Sequence, residues 1–164
     1  MLHLLKKVSH DAVSTNNLVA IADGKLIPLK EVPDDVFSNQ VMGNGIAIRI
    51  SNNTIVSPTD GVVTSIFPSL HAFSMTVANG IEILVHIGVD TVKLNGKGFK
   101  KLINENSQVK KGKPIIKVDR HFIEKNGFDL TTMMIVIDDK GYKLSYQTQG
   151  NVSKGKTVVA TIES

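Results

Sequence analysis

Ile81-Glu82-Ile83-Leu84-Val85-His86-Ile87-Gly88-Val89-Asp90 carries an aliphatic residue at every odd position. Successive side chains of a strand point to opposite faces, so this spacing predicts a β-strand with Ile81, Ile83, Val85, Ile87 and Val89 on its core side. Glu82, Leu84, His86, Gly88 and Asp90 take the other side. A histidine in mid-strand therefore points away from the core.

Asn79-Gly80, a strong hairpin signal, joins this strand to the preceding run Phe67–Val77. A two-residue loop puts Phe73 opposite His86, with His71 two residues along on the same face. A four-residue loop sets His71 directly opposite His86. A three-residue loop reverses the pattern, because a slip of one flips every side chain. With an even loop, one face holds Phe67, Ser69, His71, Phe73, Leu84, His86 and Asp90, and the two imidazoles lie within about 5–8 Å at Cβ. Apolar side chains around two imidazoles suit a surface on which another protein docks. The alternative is a face covered by a second sheet, with both histidines satisfied by hydrogen bonds. Gly88, with no side chain, leaves room beside His86.

Outward from this hairpin, turn signals recur at short spacing, among them Asp23-Gly24, Gly43-Asn44-Gly45, Asp60-Gly61, Asn95-Gly96, Asn126-Gly127 and Lys140-Gly141. Short runs rich in Val, Ile and Thr lie between them. That pattern predicts an all-β barrel or sandwich. Short helices are expected at Gly98–Asn104, where Phe99, Leu102 and Ile103 have helical spacing, and at Arg120–Lys125, behind Asp119 as N-cap. Gln108-Val-Lys-Lys-Gly-Lys-Pro-Ile-Ile-Lys-Val and Asn151-Val-Ser-Lys-Gly-Lys-Thr-Val-Val-Ala-Thr echo one another. Two copies of a strand–turn–strand unit imply pseudo-symmetry rather than a solenoid.

The 164 residues fit a single domain at 16–164, preceded by a flexible N-terminal tail at 1–15 that contains His3 and His10. No stretch approaches the ~20 apolar residues of a membrane span, and Met1–Val8 is too short and too charged for a secretory signal. A cytoplasmic protein is expected. With no cysteine, thiolate nucleophiles, disulfides and Cys-based zinc sites are excluded. The 19 basic residues outnumber the 15 acidic, yet Arg49 and Arg120 are the only arginines, and there is no Trp on which bases could stack. A solvated lysine-rich surface, not nucleic-acid binding, accounts for that balance.

Five segments taken together resemble the glucose-type enzyme IIA component of the bacterial phosphoenolpyruvate-dependent sugar phosphotransferase system. They are Val36-Phe-Ser-Asn-Gln-Val-Met-Gly-Asn-Gly-Ile-Ala-Ile, Ser57-Pro-Thr-Asp-Gly, Ile66-Phe-Pro-Ser-Leu-His-Ala-Phe, Val85-His-Ile-Gly-Val-Asp-Thr-Val-Lys-Leu and Gly96-Lys-Gly-Phe. The resemblance runs from about Leu18 to the C-terminus and is most specific over Gly80–Phe99. It implies a flattened antiparallel β-sandwich or barrel with duplicated motifs and one or two short helices. It also implies a phosphotransferase role: His86 accepts a phosphoryl group from phospho-HPr and donates it to the cysteine of an enzyme IIB domain, for sugar uptake through a IIB/IIC permease. By the same resemblance, His71 stabilises the phosphoryl group and shuttles a proton, and Ser69 adds a hydrogen bond. Asp34 and Asp90 flank the site, and Phe37, Val41, Phe67, Phe73 and Leu84 form the partner-binding ring. Leu84 departs from the Phe found in some members. No cofactor is implied, and the membrane is met only through the permease.

Imidazole suits this chemistry, since its pKa near ~6.5 leaves a neutral nucleophile at cytoplasmic pH. Three rival readings are weaker. Ile55-Val-Ser-Pro-Thr-Asp-Gly-Val-Val looks like half of a lipoyl or biotinyl carrier, but Asn79-Gly80 lacks the required Lys. His86 to Asp90 spells the H-x-x-x-D of lysostaphin-type zinc peptidases, but the H-x-H pair is missing; His71, His86 and one Asp could hold an adventitious or partner-dependent zinc weakly, its open position filled by a partner or water. A non-catalytic regulatory or binding module would use the same surface without phosphorylation.

Overall fold

The computed structural model describes residues 17–163, so the tail expected at 1–15 lies outside the described residues. Every strand pairing among these residues is antiparallel. One sheet has eight strands, in the order Gly150–Val152, Gly24–Ile27, Asn44–Ile50, Thr131–Asp138, Glu82–Ile87, Ala72–Val77, Gly61–Ile66 and Ser107–Val109. A three-stranded sheet is made of Asn17–Val19, Val158–Glu163 and Lys143–Tyr146, and a second of Thr54–Val56, Pro114–Val118 and Phe99–Lys101. The all-β expectation holds.

One face of the large sheet sends Ile46, Ile48, Phe73, Met75, Ile83, Val85, Ile87 and Met134 into a core shared with both small sheets, through Leu18 and Ile162 of one and Ile55 and Ile116 of the other. Burying Ile83, Val85 and Ile87 alone contributes roughly 5–9 kcal/mol. A one-residue slip would forfeit that and turn Glu82 and His86 inward, so the register of this strand is firmly set.

The opposite face of the same central strands is apolar too. Ala47, Ala72, Leu84, Met133 and Ile135 form a second cluster there with Ile27. It is closed by the segment that follows Ile27, a 3-10 turn at Leu29–Glu31 and a short α-helix at Asp35–Ser38, which contribute Leu29, Val32 and Phe37. A short helical strap, rather than a second sheet, covers this face, and it reaches His86 through Phe37.

Two local expectations change and a third holds. The hairpin loop has three residues, Ala78-Asn79-Gly80, since Val77 N–H donates to Ile81 C=O at 3.0 Å. Ala72 therefore stands opposite His86, and Phe73 opposite Val85. Gly98–Asn104 is not helical: Phe99–Lys101 is a strand in which Phe99 is buried while Lys100 and Lys101 are exposed. Gly96 and Gly98 approach it at φ +89° and +88°, outside the right-handed helical region. The helix at Arg120–Lys125 does form, with the Asp119 carboxylate accepting from Phe122 N–H at 3.1 Å.

The repeated Lys-Gly-Lys turns are structural twins. Lys111 N–H donates to the Asp60 carboxylate at 2.8 Å, and Lys154 N–H to that of Asp23 at 2.8 Å. Gly112 N–H donates to Ser57 C=O, and Gly155 N–H to Ala20 C=O. The turns abut: a Cβ on Gly155 would stand 3.4 Å from Gly112 Cα.

Candidate functional site

His86 is the last but one residue of its strand, half-buried, and the chain turns sharply behind it. Gly88 at φ +84° and Asp90 at φ +59° are both left-handed, which ends the alternation. Val89 consequently packs against the outer cluster and not with the core set expected for it. The turn also brings Gly88 C=O back to the imidazole, 2.8 Å from His86 Nδ1. A carbonyl can only accept, so Nδ1 carries the hydrogen and the lone pair of the neutral ring resides on Nε2.

The space left by the missing side chain of Gly88 is not open. A Cβ there would lie 2.5 Å from Thr91 Cγ2 and 3.0 Å from Asp129 C=O. Those groups fill the room that the sequence suggested for an incoming group.

His71 reaches His86 by a different route from the one expected. With a three-residue hairpin, strict alternation would turn His71 toward the core beside Phe73. The strand begins only at Ala72, however, and Leu70 is left-handed at φ +59° in the turn closed by Leu70 N–H to Phe67 C=O. That kink resets the alternation. The two imidazole rings meet edge to face, with centroids 4.9 Å apart and planes at 83°. Phe67 stands edge-on to His71 at 5.7 Å, and Phe37 lies 4.8 Å from His86.

Burial holds both histidines below their ordinary pKa. For His71 the value falls to about 4, through burial first and the neighbouring His86 charge second. Its Nδ1 is buried without a hydrogen-bond partner among the described residues. Burial also lowers His86, against the opposing pull of the Gly88 carbonyl, Asp34 and Asp90. Near neutral pH both rings are uncharged, and His86 offers an unprotonated Nε2.

The two acids both lie close enough to act on His86. Asp34 caps the strap helix, accepting from Val36 N–H at 3.0 Å, and Asp90 is exposed at the turn. The expected apolar ring divides into three parts. Phe37 and Leu84 are buried beneath the site, Phe67 and Val41 are exposed, and Phe73 is fully buried in the main core on the far side of the sheet. Phe73 therefore leaves the docking ring, because the odd loop turns it inward. Val36 and Met42, which the sequence reading passed over, are exposed on the strap. The readable signal was Asp34 as an N-cap two residues before Val36. Ser69 lies in the turn between Phe67 and His71, and its hydroxyl makes no hydrogen bond with the described residues.

Among the described residues no three His, Cys, Asp or Glu side chains converge as metal ligands. No helix among them is long and apolar enough to cross a membrane.

Residues 16–142 match the family described as phosphoenolpyruvate-dependent sugar phosphotransferase system, EIIA 1. The chain is 40% identical over 155 residues to the PTS system glucose-specific EIIA component of Buchnera aphidicola subsp. Baizongia pistaciae, covering 94% of this chain and 90% of that protein. Among solved structures it is similar to glucose permease IIA from Mycoplasma capricolum, with a TM-score of 0.83 and 33% identity, over 88% of this chain and 94% of the other.

Proposed function

The chain belongs to the EIIA 1 family of the phosphoenolpyruvate-dependent sugar phosphotransferase system, and on that premise we propose that His86 Nε2 is its phosphoryl acceptor. The observation that carries this reading is the hydrogen bond from His86 Nδ1 to Gly88 C=O, which leaves the nucleophilic lone pair on the other nitrogen. The donor is phospho-HPr. An N–P bond forms at His86 Nε2 as the N–P bond of the donor breaks, and the donor imidazole keeps the released electron pair. In the second transfer, an S–P bond forms on the cysteine thiolate of an enzyme IIB domain, and His86 recovers its lone pair.

Phosphoryl transfer depends chiefly on positioning and on balancing charge. His71, neutral and edge-on to His86, supplies a hydrogen bond to a phosphoryl oxygen and moves a proton as charge shifts. Ser69, in the turn just before His71, adds a supporting hydrogen bond to the same oxygens. Asp34 and Asp90 present negative charge to a basic donor, which brings the cation that this site lacks. Val36, Val41, Met42 and Phe67 provide its apolar contact. No cofactor takes part, and the domain works in the cytoplasm beside a IIB/IIC permease.

Incubation with phosphoenolpyruvate, enzyme I and HPr tests the proposal. Acid-labile phosphate should appear on His86, located by gentle fragmentation mass spectrometry, and His86→Gln should abolish it. Phosphate on His71, or undiminished labelling of His86→Gln, would reverse the assignment.

A further inference from the structure

We infer that Thr91 is a positioning residue that sets which nitrogen of His86 carries the hydrogen. Two consecutive peptide planes lie between these residues, and each is pinned. The Ile87–Gly88 plane is held by Thr91, whose hydroxyl donates to Ile87 C=O. The Gly88–Val89 plane is held at one end by Val89 N–H, which donates to Asp129 C=O at 2.9 Å. Its other end is Gly88 C=O, the acceptor for His86 Nδ1.

Thr91 is fully buried, and its methyl stands where a side chain on Gly88 would be, so it contacts the turn from the side as well as from behind. The Asp129 end is fixed in turn, because its carboxylate accepts from both the N–H and the hydroxyl of Thr131. A left-handed glycine between two free planes would swing its carbonyl readily. Thr91 and the Asp129 carbonyl together remove that freedom, one plane each. Without the Thr91 hydroxyl, Gly88 C=O drifts from the imidazole, Nδ1 loses its acceptor, and part of the population carries the hydrogen on Nε2. That part has no lone pair with which to attack phosphorus.

This assignment rests on His86 Nε2 being the acceptor, but its first readout does not. Long-range ¹H–¹⁵N spectra of the full chain, above the imidazole titration, report the Nδ1–H and Nε2–H forms of His86 directly. Thr91→Val keeps the shape and removes the hydroxyl; Thr91→Ala removes it with no crowding; Thr91→Ser restores it. Losing one neutral hydrogen bond should shift the tautomer ratio toward Nε2–H by roughly two- to tenfold in the first two variants, with Thr91→Ser near the wild type. The rate of labelling by phospho-HPr should fall in proportion to the Nδ1–H population. A variant that melts earlier but keeps the wild-type ratio would reduce Thr91 to a structural residue and overturn the inference, as would a Thr91→Ser shift as large as that of Thr91→Val. If the wild type itself takes no label, the acceptor proposal fails while the tautomer result stands.

Discussion

The rings of His71 and His86 meet edge to face with centroids 4.9 Å apart, so a proton on His86 opposes a proton on His71. On the proposed reading the pair is one nucleophile with one neutral neighbour, not two equal histidines. His71→Gln should accept phosphate from HPr, since an amide can donate to the phosphoryl oxygens, yet pass it poorly to a IIB domain, since an amide cannot shuttle a proton. Separate measurement of the two half-reactions checks this; equal losses in both would count against it.

The depressed pKa of His71 makes a prediction about acid. The folded state releases this proton at about 4, whereas the unfolded chain does so near 6.5. Protons therefore bind the unfolded state more readily between those values. The stability tied to a neutral His71 is fully present above pH 6.5 and is lost as pH falls toward 4. Its full extent is on the order of 3 kcal/mol. Denaturant melts of wild type and His71→Gln across this window should converge as pH falls, and parallel curves would refute the assignment.

Phe37 packs both in the outer cluster and against His86. Phe37→Ala should cost about 3 kcal/mol of stability. Because burial is the main cause lowering His86, the same change should raise its pKa toward the ordinary value. NMR titration of the His86 ring protons reads the shift, and a downward movement would contradict burial as the dominant cause.

Asp90→Asn removes a charge while keeping a residue type that accepts the left-handed backbone at φ +59°. The His86 pKa should fall further, since Asp90 holds it up. Association with HPr should slow and lose part of its dependence on ionic strength. Stopped-flow measurements at several salt concentrations decide it.

Val41 is 72% exposed and contributes little to either cluster. Val41→Ser should leave stability within about 0.5 kcal/mol. If Val41 is an anchor for the donor, affinity for HPr should drop by about tenfold, the usual mark of a contact at the centre of an interface. Calorimetry and a thermal melt on the same sample separate the two effects.

The strand Glu82–Ile87 was legible in the sequence because its alternation is unbroken and its core face is worth several kcal/mol. The pairing of the histidines was reached by a parity argument that the structure does not follow. An odd loop flips the preceding strand, and the left-handed Leu70 restores only His71 to the outer side. No side-chain signal marks such a conformation at a leucine, so the two departures could not be read in advance. Phe73, which has no compensating kink, turned inward. The strap was hidden for another reason: Leu29, Val32 and Phe37 fit no single period, because a 3-10 turn and one helical turn present them. Thr91 gave no signal at all, since its partner is a backbone carbonyl.

Asn17–Val19 pairs with Val158–Glu163, and the Asp23 carboxylate waits for an amide 131 positions later in the chain. A nascent chain leaving the ribosome can form the His71–His86 hairpin early, but nothing completes the sheet of Asn17–Val19 until the second Lys-Gly-Lys turn and the strand after it have emerged. Loop-closure entropy on that scale predicts slow, late folding relative to helical proteins of this length. During synthesis the strands around the site would be present with an open edge, exposed to wrong pairing and to chaperones, until Val158–Glu163 emerged to pair with Asn17–Val19.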